Sequence, residues 1–232
     1  SKTFYWRGRY ENNLNSRTTI ETQLNVLEKF KPIVPNNFRD SDILVLGNLD
    51  PNIQLDVLNQ MNSRPKIIIL DTMNYWIERF EKQLEELINK TDIISINDDE
   101  ARQITNEYSL LKAAKKISNL GPKFIIIKKG EHGAMLFNED KIFSIPAIPF
   151  EEVYDPTGAG DSFIGAIAGF LSQTKKLSFN NLKSAIAYGV AVSSFTVQKF
   201  GAENLINLTQ QELSIRMNEL KNISEFEIKL NY

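Results

Sequence analysis

With 232 residues, 42% of them apolar and 24% charged, the chain can fill the core of one large α/β domain or two small ones. A net charge of −2 gives no electrostatic case for a nucleic-acid backbone, and no apolar run approaches the roughly 18 residues that a membrane helix requires. The absence of cysteine excludes disulfides, thiolate metal sites and cysteine nucleophiles, and a single histidine, His132, argues against a multi-histidine zinc centre.

The opening residues, 1–8, carry no apolar signal-peptide core, and with the cysteine-free composition this fits a cytoplasmic protein. Residues 2–10 alternate aromatic and charged side chains (Phe4, Trp6, then Arg7, Arg9), which predicts a strand with one exposed face. Residues 18–30 read either as a second strand or as a short helix, and Pro32 and Pro35 punctuate the connection that follows. From Ser41 onward the rhythm changes. Short apolar runs at 43–46, 66–70, 93–96 and 124–127 alternate with helical patterns at 53–62, 75–90, 97–105 and 109–120. Such alternation predicts βαβ units around a buried parallel sheet. Residues 133–137 and 141–145, separated by Asn138-Glu139-Asp140, predict a hairpin. Beyond Tyr154 the pattern is helical, over about 158–172, 180–199 and 209–220. There is no internal repeat and no low-complexity linker.

Asn48, Asp71, Asn97 and Lys128 stand where the predicted strands end. In open parallel sheets, ligands bind at the carboxyl ends of strands. Polar residues there serve equally well as turn and cap residues.

The segment Asp155-Pro156-Thr157-Gly158-Ala159-Gly160-Asp161-Ser162-Phe163 carries the strongest chemical signal. Pro156 and Gly158 interrupt any preceding element, and the residues from Ala159 onward are apolar and helix-compatible. The segment is therefore a glycine-rich turn feeding a helix N-terminus, where unpaired backbone N–H groups and the helix dipole favour phosphate. The small residues Gly158, Ala159 and Gly160 let a phosphoryl group approach the backbone closely. Asp161, in the first turn, is placed to take a proton from an attacking hydroxyl, or simply to complement the dipole.

The whole segment resembles the signature of the ribokinase-like, or PfkB, carbohydrate kinase family. Asp155, Thr157, Gly158, Gly160 and Asp161 match it, and at residue frequencies of roughly one in fifteen such a match arises by chance about once in a million positions. Asn97-Asp98-Asp99-Glu100 is similar to the family's Asn-x-x-Glu motif, which implies placement of magnesium and phosphate through water. The same four residues also read as a helix capping box. Lys128-Lys129-Gly130-Glu131-His132-Gly133 is similar to the family's Gly-x-x-Gly turn beside the nucleotide phosphates, with Lys128 standing where relatives often have threonine. His132 reads as a turn residue. Gly201-Ala202 resembles the adenine-side loop, and Asp155 and Thr157 correspond to a monovalent-cation site.

The resemblance covers about residues 41–220. It implies a three-layer ribokinase-like α/β fold, a mostly parallel sheet flanked by helices, with a small β lid. Residues 1–35 would be the lid-like β segment and 36–232 the nucleotide-binding and catalytic domain. The implied activity is ATP-dependent phosphorylation of a hydroxyl on a sugar or nucleoside, with magnesium and potassium as ions. Asp161 would be the base, Gly158, Ala159 and Gly160 the anion hole, and Asn97, Glu100, Lys128, Gly130, Gly133, Thr157, Gly201 and Ala202 the nucleotide side. Arg7, Arg9 and Asn48 would contact the acceptor. The resemblance also implies a homodimer formed through the lid, and neither nucleic acid nor membrane as a partner. Relatives open with a sheet strand and a Gly-Gly segment that contacts the sugar, whereas this chain starts in lid-like sequence and contains no Gly-Gly pair. The expectation is therefore an intact phosphate-transfer end and an incomplete acceptor end. A truncated nucleotide-binding remnant with little kinase activity is the alternative. A dinucleotide-binding oxidoreductase is rejected, because no Gly-x-Gly-x-x-Gly follows the first predicted strand.

Overall fold

The computed structural model describes residues 2–10, 17–225 and 227 of the chain. Strands β1 (Tyr5–Tyr10) and β2 (Arg17–Gln23) pair antiparallel as a two-stranded ribbon. Trp6, Gly8 and Tyr10 are half-buried, while Tyr5, Arg7 and Arg9 face solvent, which is the predicted alternation. The Trp6 indole lies across Gly8, and its Nε1 donates to Thr19 Oγ1 at 3.3 Å. The ambiguous stretch 18–30 contains both elements, because a 3₁₀ turn over Asn25–Lys29 follows the strand. Residue 1 and residues 11–16 of the lid-like segment lie outside the described residues.

The second sheet joins β3 (Ile43–Leu46), β4 (Ile67–Leu70), β5 (Ile93–Asn97), β6 (Phe124–Lys128), β7 (Ala134–Asn138) and β8 (Lys141–Ile145) side by side in that order. Neighbours are parallel from β3 to β6 and antiparallel from β6 to β8. The strands are nearly continuous isoleucine because helices cover both faces. On one face Ile67, Ile69, Ile93 and Ile126 pack on Ile164, Ile167 and Leu171 of α6 (Ala159–Thr174) and Ile186 of α7 (Phe179–Thr196). On the other, Ile68, Leu70, Ile94, Ile96, Ile125 and Ile127 pack on α3 (Glu81–Asn89), α4 (Asp98–Thr105) and α5 (Leu110–Asn119). Each of these side chains contributes about 1.5–3 kcal/mol through burial, so both faces of the sheet hold it between the helices. The short helix α1 (Pro51–Asn59) starts on an Asp50 cap and returns the chain from β3 to β4. Strand β3 forms one edge of the sheet, where Val45 is 40% exposed.

The single helix expected over 75–90 is two: α2 (Asn74–Arg79) and α3, broken at Phe80, whose backbone leaves the helical region (φ −131°, ψ 41°). Buried Trp76, Ile77, Leu84, Leu87 and Ile88 stay in phase across the break, so periodicity does not report it. The C-terminal part adds a short helix, α8 (Glu203–Ile206), before α9 (Gln210–Ser224). Among the described residues no helix is long and apolar enough to cross a membrane.

Candidate active site

The carboxyl ends of β4, β5 and β6 deliver Asp71, Asn97 and Lys128 to one edge of the sheet, and Asn97 and Lys128 are register partners. Asn97 caps α4. Its side chain accepts from the Glu100 N–H at 2.7 Å, and the Glu100 carboxylate accepts from the Asn97 N–H at 2.8 Å. Glu100 is buried at 5% exposure. The capping box expected as the structural reading is therefore present, and it fixes the pair's orientation whatever else the pair does.

Lys128 reaches across the end of β5, and its Nζ lies 3.1 Å from Asp71 Oδ1. The Lys128 side chain is 19% exposed and that of Asp71 8%. Burial pulls the lysine pKa down, but the charges of Asp71, Glu100 and Asp161 outweigh it, so the group is held above the ordinary lysine range and stays charged. The same Nζ would stand 3.2 Å from a Cβ placed on Gly160, at the first turn of α6. One cation, the Asp71 carboxylate that it meets and a helix N-terminus thus come together, within the field of Glu100 and Asp161.

That N-terminus is shaped by the glycine-rich segment. Gly158 is left-handed (φ 84°, ψ −4°), and among the described residues no side chain caps the helix. The Ala159 N–H donates to Pro156 O at 3.2 Å, and the Gly160 N–H that follows has no acceptor within the helix. Asp161 sits in that turn and is exposed. The Asp155 carboxylate accepts from the Thr157 N–H at 2.9 Å, and the backbone N–H of Tyr154 bonds to Val197 O at 2.8 Å, which ties the turn to the end of α7. Buried Thr196 donates to Ser162 Oγ at 2.8 Å, fixing the start of α6 against the same helix end. From the ribbon, Tyr10 Oη meets Thr157 Oγ1 at 3.0 Å.

The Gly130–His132 turn lies directly after Lys129. His132 is exposed there, as a turn residue. Gly201 has φ 56° and, with Ala202, is exposed ahead of α8. A cleft of about 280 Å³ lies beside this loop, lined by Phe195, Lys199, Glu203 and Asn204 among others.

Two acceptor-side candidates make other contacts. Arg7 is exposed and pairs with Glu21 at 3.6 Å, and Asn48 Oδ1 accepts from Trp76 Nε1 at 2.8 Å. Asp71, placed at a strand end from the sequence but given no role there, joins the site, and Tyr10, Ser162 and Thr196 were not singled out as site residues. The signal for Asp71 was its position after an apolar run; the others had none.

Among the described residues no group of three or more histidine, aspartate or glutamate side chains forms a ready metal cage. Magnesium keeps several waters and takes few protein carboxylates, so Asn97 and Glu100, already committed to each other, fit it only through water. Asp155 and Thr157 offer adjacent oxygens on an exposed turn. The uncapped α6 N-terminus and the Lys128 ammonium fit a phosphate.

Residues 10–209 match the model of the pfkB family carbohydrate kinases. The chain is 30% identical over 156 residues to a cytidine kinase of Thermococcus kodakarensis, covering 65% of this chain and 54% of that protein. It is 37% identical over 131 residues to a ribokinase of Staphylococcus aureus, covering 54% of this chain and 41% of that protein. The matches thus span 54% and 41% of the length of these two curated relatives. A solved ribokinase structure from Thermotoga maritima aligns with a TM-score of 0.69 at 25% identity, over 93% of this chain and 70% of that one. The fold is ribokinase-like, a mixed six-stranded sheet between helices. On a match that runs over most of its length, the chain belongs to the pfkB family of carbohydrate kinases.

Proposed function

We propose that the protein transfers the γ-phosphoryl group of ATP to a hydroxyl of a sugar or nucleoside. The observation that supports this most is the convergence of Lys128, Gly160 and Asp161 at the N-terminus of α6. The backbone N–H groups at the start of α6, Gly160 foremost because the Ala159 N–H already bonds to Pro156 O, and the dipole behind them attract phosphoryl oxygens. Asp161 accepts the acceptor hydroxyl's proton as its oxygen bonds to phosphorus, and the bond to the bridging oxygen breaks to release ADP. Magnesium, when bound, supplies charge neutralisation at the phosphates. Asn97 and Glu100 hold its water, and Asp155 and Thr157 hold a monovalent cation such as potassium. Gly130, Gly133 and Lys128 border the phosphates, and Gly201 and Ala202 the adenine.

Residues 1–35 serve in this reading as the lid of the 36–232 catalytic domain. The Tyr10–Thr157 contact supports it, because it joins the ribbon to the phosphate turn. Arg7, Arg9 and Asn48 remain the acceptor contacts of this reading, although the two arginines lie on the ribbon face opposite Tyr10 and would have to leave solvent to reach an acceptor. Phe4, Tyr5 and Ile20 are exposed on the ribbon, and a homodimer formed through it would cover them. The site of action proposed is the cytoplasm.

The test is ADP release from magnesium ATP across a panel of pentoses, hexoses and nucleosides. Acceptor-dependent release supports the proposal; ATP binding with no acceptor-dependent release supports the remnant reading instead. Gly160→Val should weaken ATP far more than adenosine, because a side chain there pushes phosphate off the backbone and toward Lys128. Loss of one hydrogen bond to a charged group costs about 1.5–3 kcal/mol, or about 10–100-fold in affinity. Equal loss for both ligands would indicate misfolding instead. Asn97→Ala should lower stability by about 1 kcal/mol through the lost cap and raise the magnesium concentration needed for half-maximal rate. A stability loss with unchanged magnesium dependence would leave the pair as a helix cap alone.

A further inference from the structure

Lys128 is out of place by simple electrostatics. A helix N-terminus repels cations, yet this ammonium lies against the first turn of α6 and is largely buried there. It arrives from two strands away. Lys128 ends β6 and Asp71 follows β4, so the side chain passes over the end of the intervening β5 to reach the Asp71 carboxylate at 3.1 Å. Backbone geometry alone does not require that path. Asp71, its side chain only 8% exposed, provides the fixed end of the contact. Glu100, oriented by the capping box, and Asp161, in the first turn of α6, add the attraction of their charge.

We infer that Lys128 contacts the phosphoryl group in transfer and that Asp71 is the positioning residue that holds its ammonium at the start of α6. This rests on the phosphotransfer reading above. With no phosphate present, the carboxylates satisfy the ammonium. When a phosphoryl group meets the α6 amides, its oxygens enter the same space and Nζ turns part of its hydrogen bonding to them, while Asp71 keeps it from moving away. The charge that develops on the transferring group then meets a donor already in place, and little rearrangement is needed at the moment of reaction. Lys128 also joins the two ends of the reaction, because the carboxylate proposed to take the acceptor proton lies within its field.

The experiment compares the wild-type chain with Lys128→Met, Lys128→Arg, Asp71→Asn and the Lys128→Met/Asp71→Asn double variant. It reads kcat and KM for magnesium ATP, the affinities of ATP and AMP by calorimetry, and thermal melting. Lys128→Met should lower kcat about 100-fold, in the range seen when one preorganised donor is removed, and leave AMP affinity unchanged. Lys128→Arg should recover part of the loss. Asp71→Asn should lower kcat by about tenfold with KM nearly constant, as removal of an interaction made in the transition state does, and should add nothing in the Lys128→Met background. Wild-type turnover retained by Lys128→Met, or an Asp71→Asn penalty of equal size in both backgrounds, would overturn the inference and leave the kinase reading standing. A wild-type chain that neither binds ATP nor releases ADP overturns both. If Lys128→Met fails to fold, the Lys128→Arg and Asp71→Asn pair carries the test, and ATP and AMP affinity lost together in both would assign the cluster to stability alone.

Discussion

Asp161→Asn is expected to lower kcat for acceptor phosphorylation by about 10²–10⁴-fold, the range typical of a lost general base. Asparagine keeps the size and the helix-start position of the side chain but cannot take a proton. ATP affinity should stay within a few fold, because in the proposed site the α6 backbone and Lys128, not Asp161, would hold the phosphates. The variant also removes one of the three carboxylates whose charge outweighs the burial of the Lys128 ammonium, so a modest gain in ATP affinity is consistent with the account. Steady-state rates with saturating acceptor, beside calorimetric ATP binding, separate the two effects. Full activity in this variant would remove Asp161 from the chemistry.

The largest loss of stability is expected from Gly133→Ala. Gly133 has φ 84° and ψ −136°, a conformation essentially confined to glycine. An added Cβ would also lie 2.0 Å from Ile145 O and 2.6 Å from Pro146 C, so the backbone leaving β8 must move. Strain and overpacking together should cost about 3 kcal/mol or more. For a chain of this size roughly 2–4 °C is lost per kcal/mol, so the melting temperature should fall by about 6–12 °C. Gly169→Ala provides the opposite arm. It lies on the exposed side of α6, where among the described residues a Cβ meets nothing within 4 Å, and the change should stabilise by about 0.5–1 kcal/mol. Calorimetric melting of both variants checks the pair. A Gly133→Ala protein that melts like the wild type would mean that the hairpin tolerates the side chain. The glycine's place in the sequence would then owe more to the nucleotide turn than to packing.

The sheet was legible because isoleucine runs of strand length are what two buried faces demand, and the 138–140 turn was legible from its residues. The break at Phe80 was not, because the apolar positions on either side of it keep one phase. The glycine-rich start of α6 could be read directly, since a turn that feeds a helix is a local feature. What makes it a site is not local. Asp71 and Lys128 are 57 residues apart, and Tyr10 and Thr157 are 147 apart. Only the strand order brings the first pair together, and only the placement of the ribbon the second. Asn97 and Glu100 illustrate the reverse case. Their spacing encodes a helix cap, and the cap is what forms, so any second task for them must be compatible with it.

The phosphorus NMR spectrum of the wild-type chain with magnesium ATP and an acceptor panel tests the central claim most directly. The account predicts ADP and a new phosphate monoester accumulating in equal amounts with at least one sugar or nucleoside, and neither signal growing with Asp161→Asn. ADP accompanied only by inorganic phosphate, or an unchanged ATP spectrum with every acceptor, would contradict it.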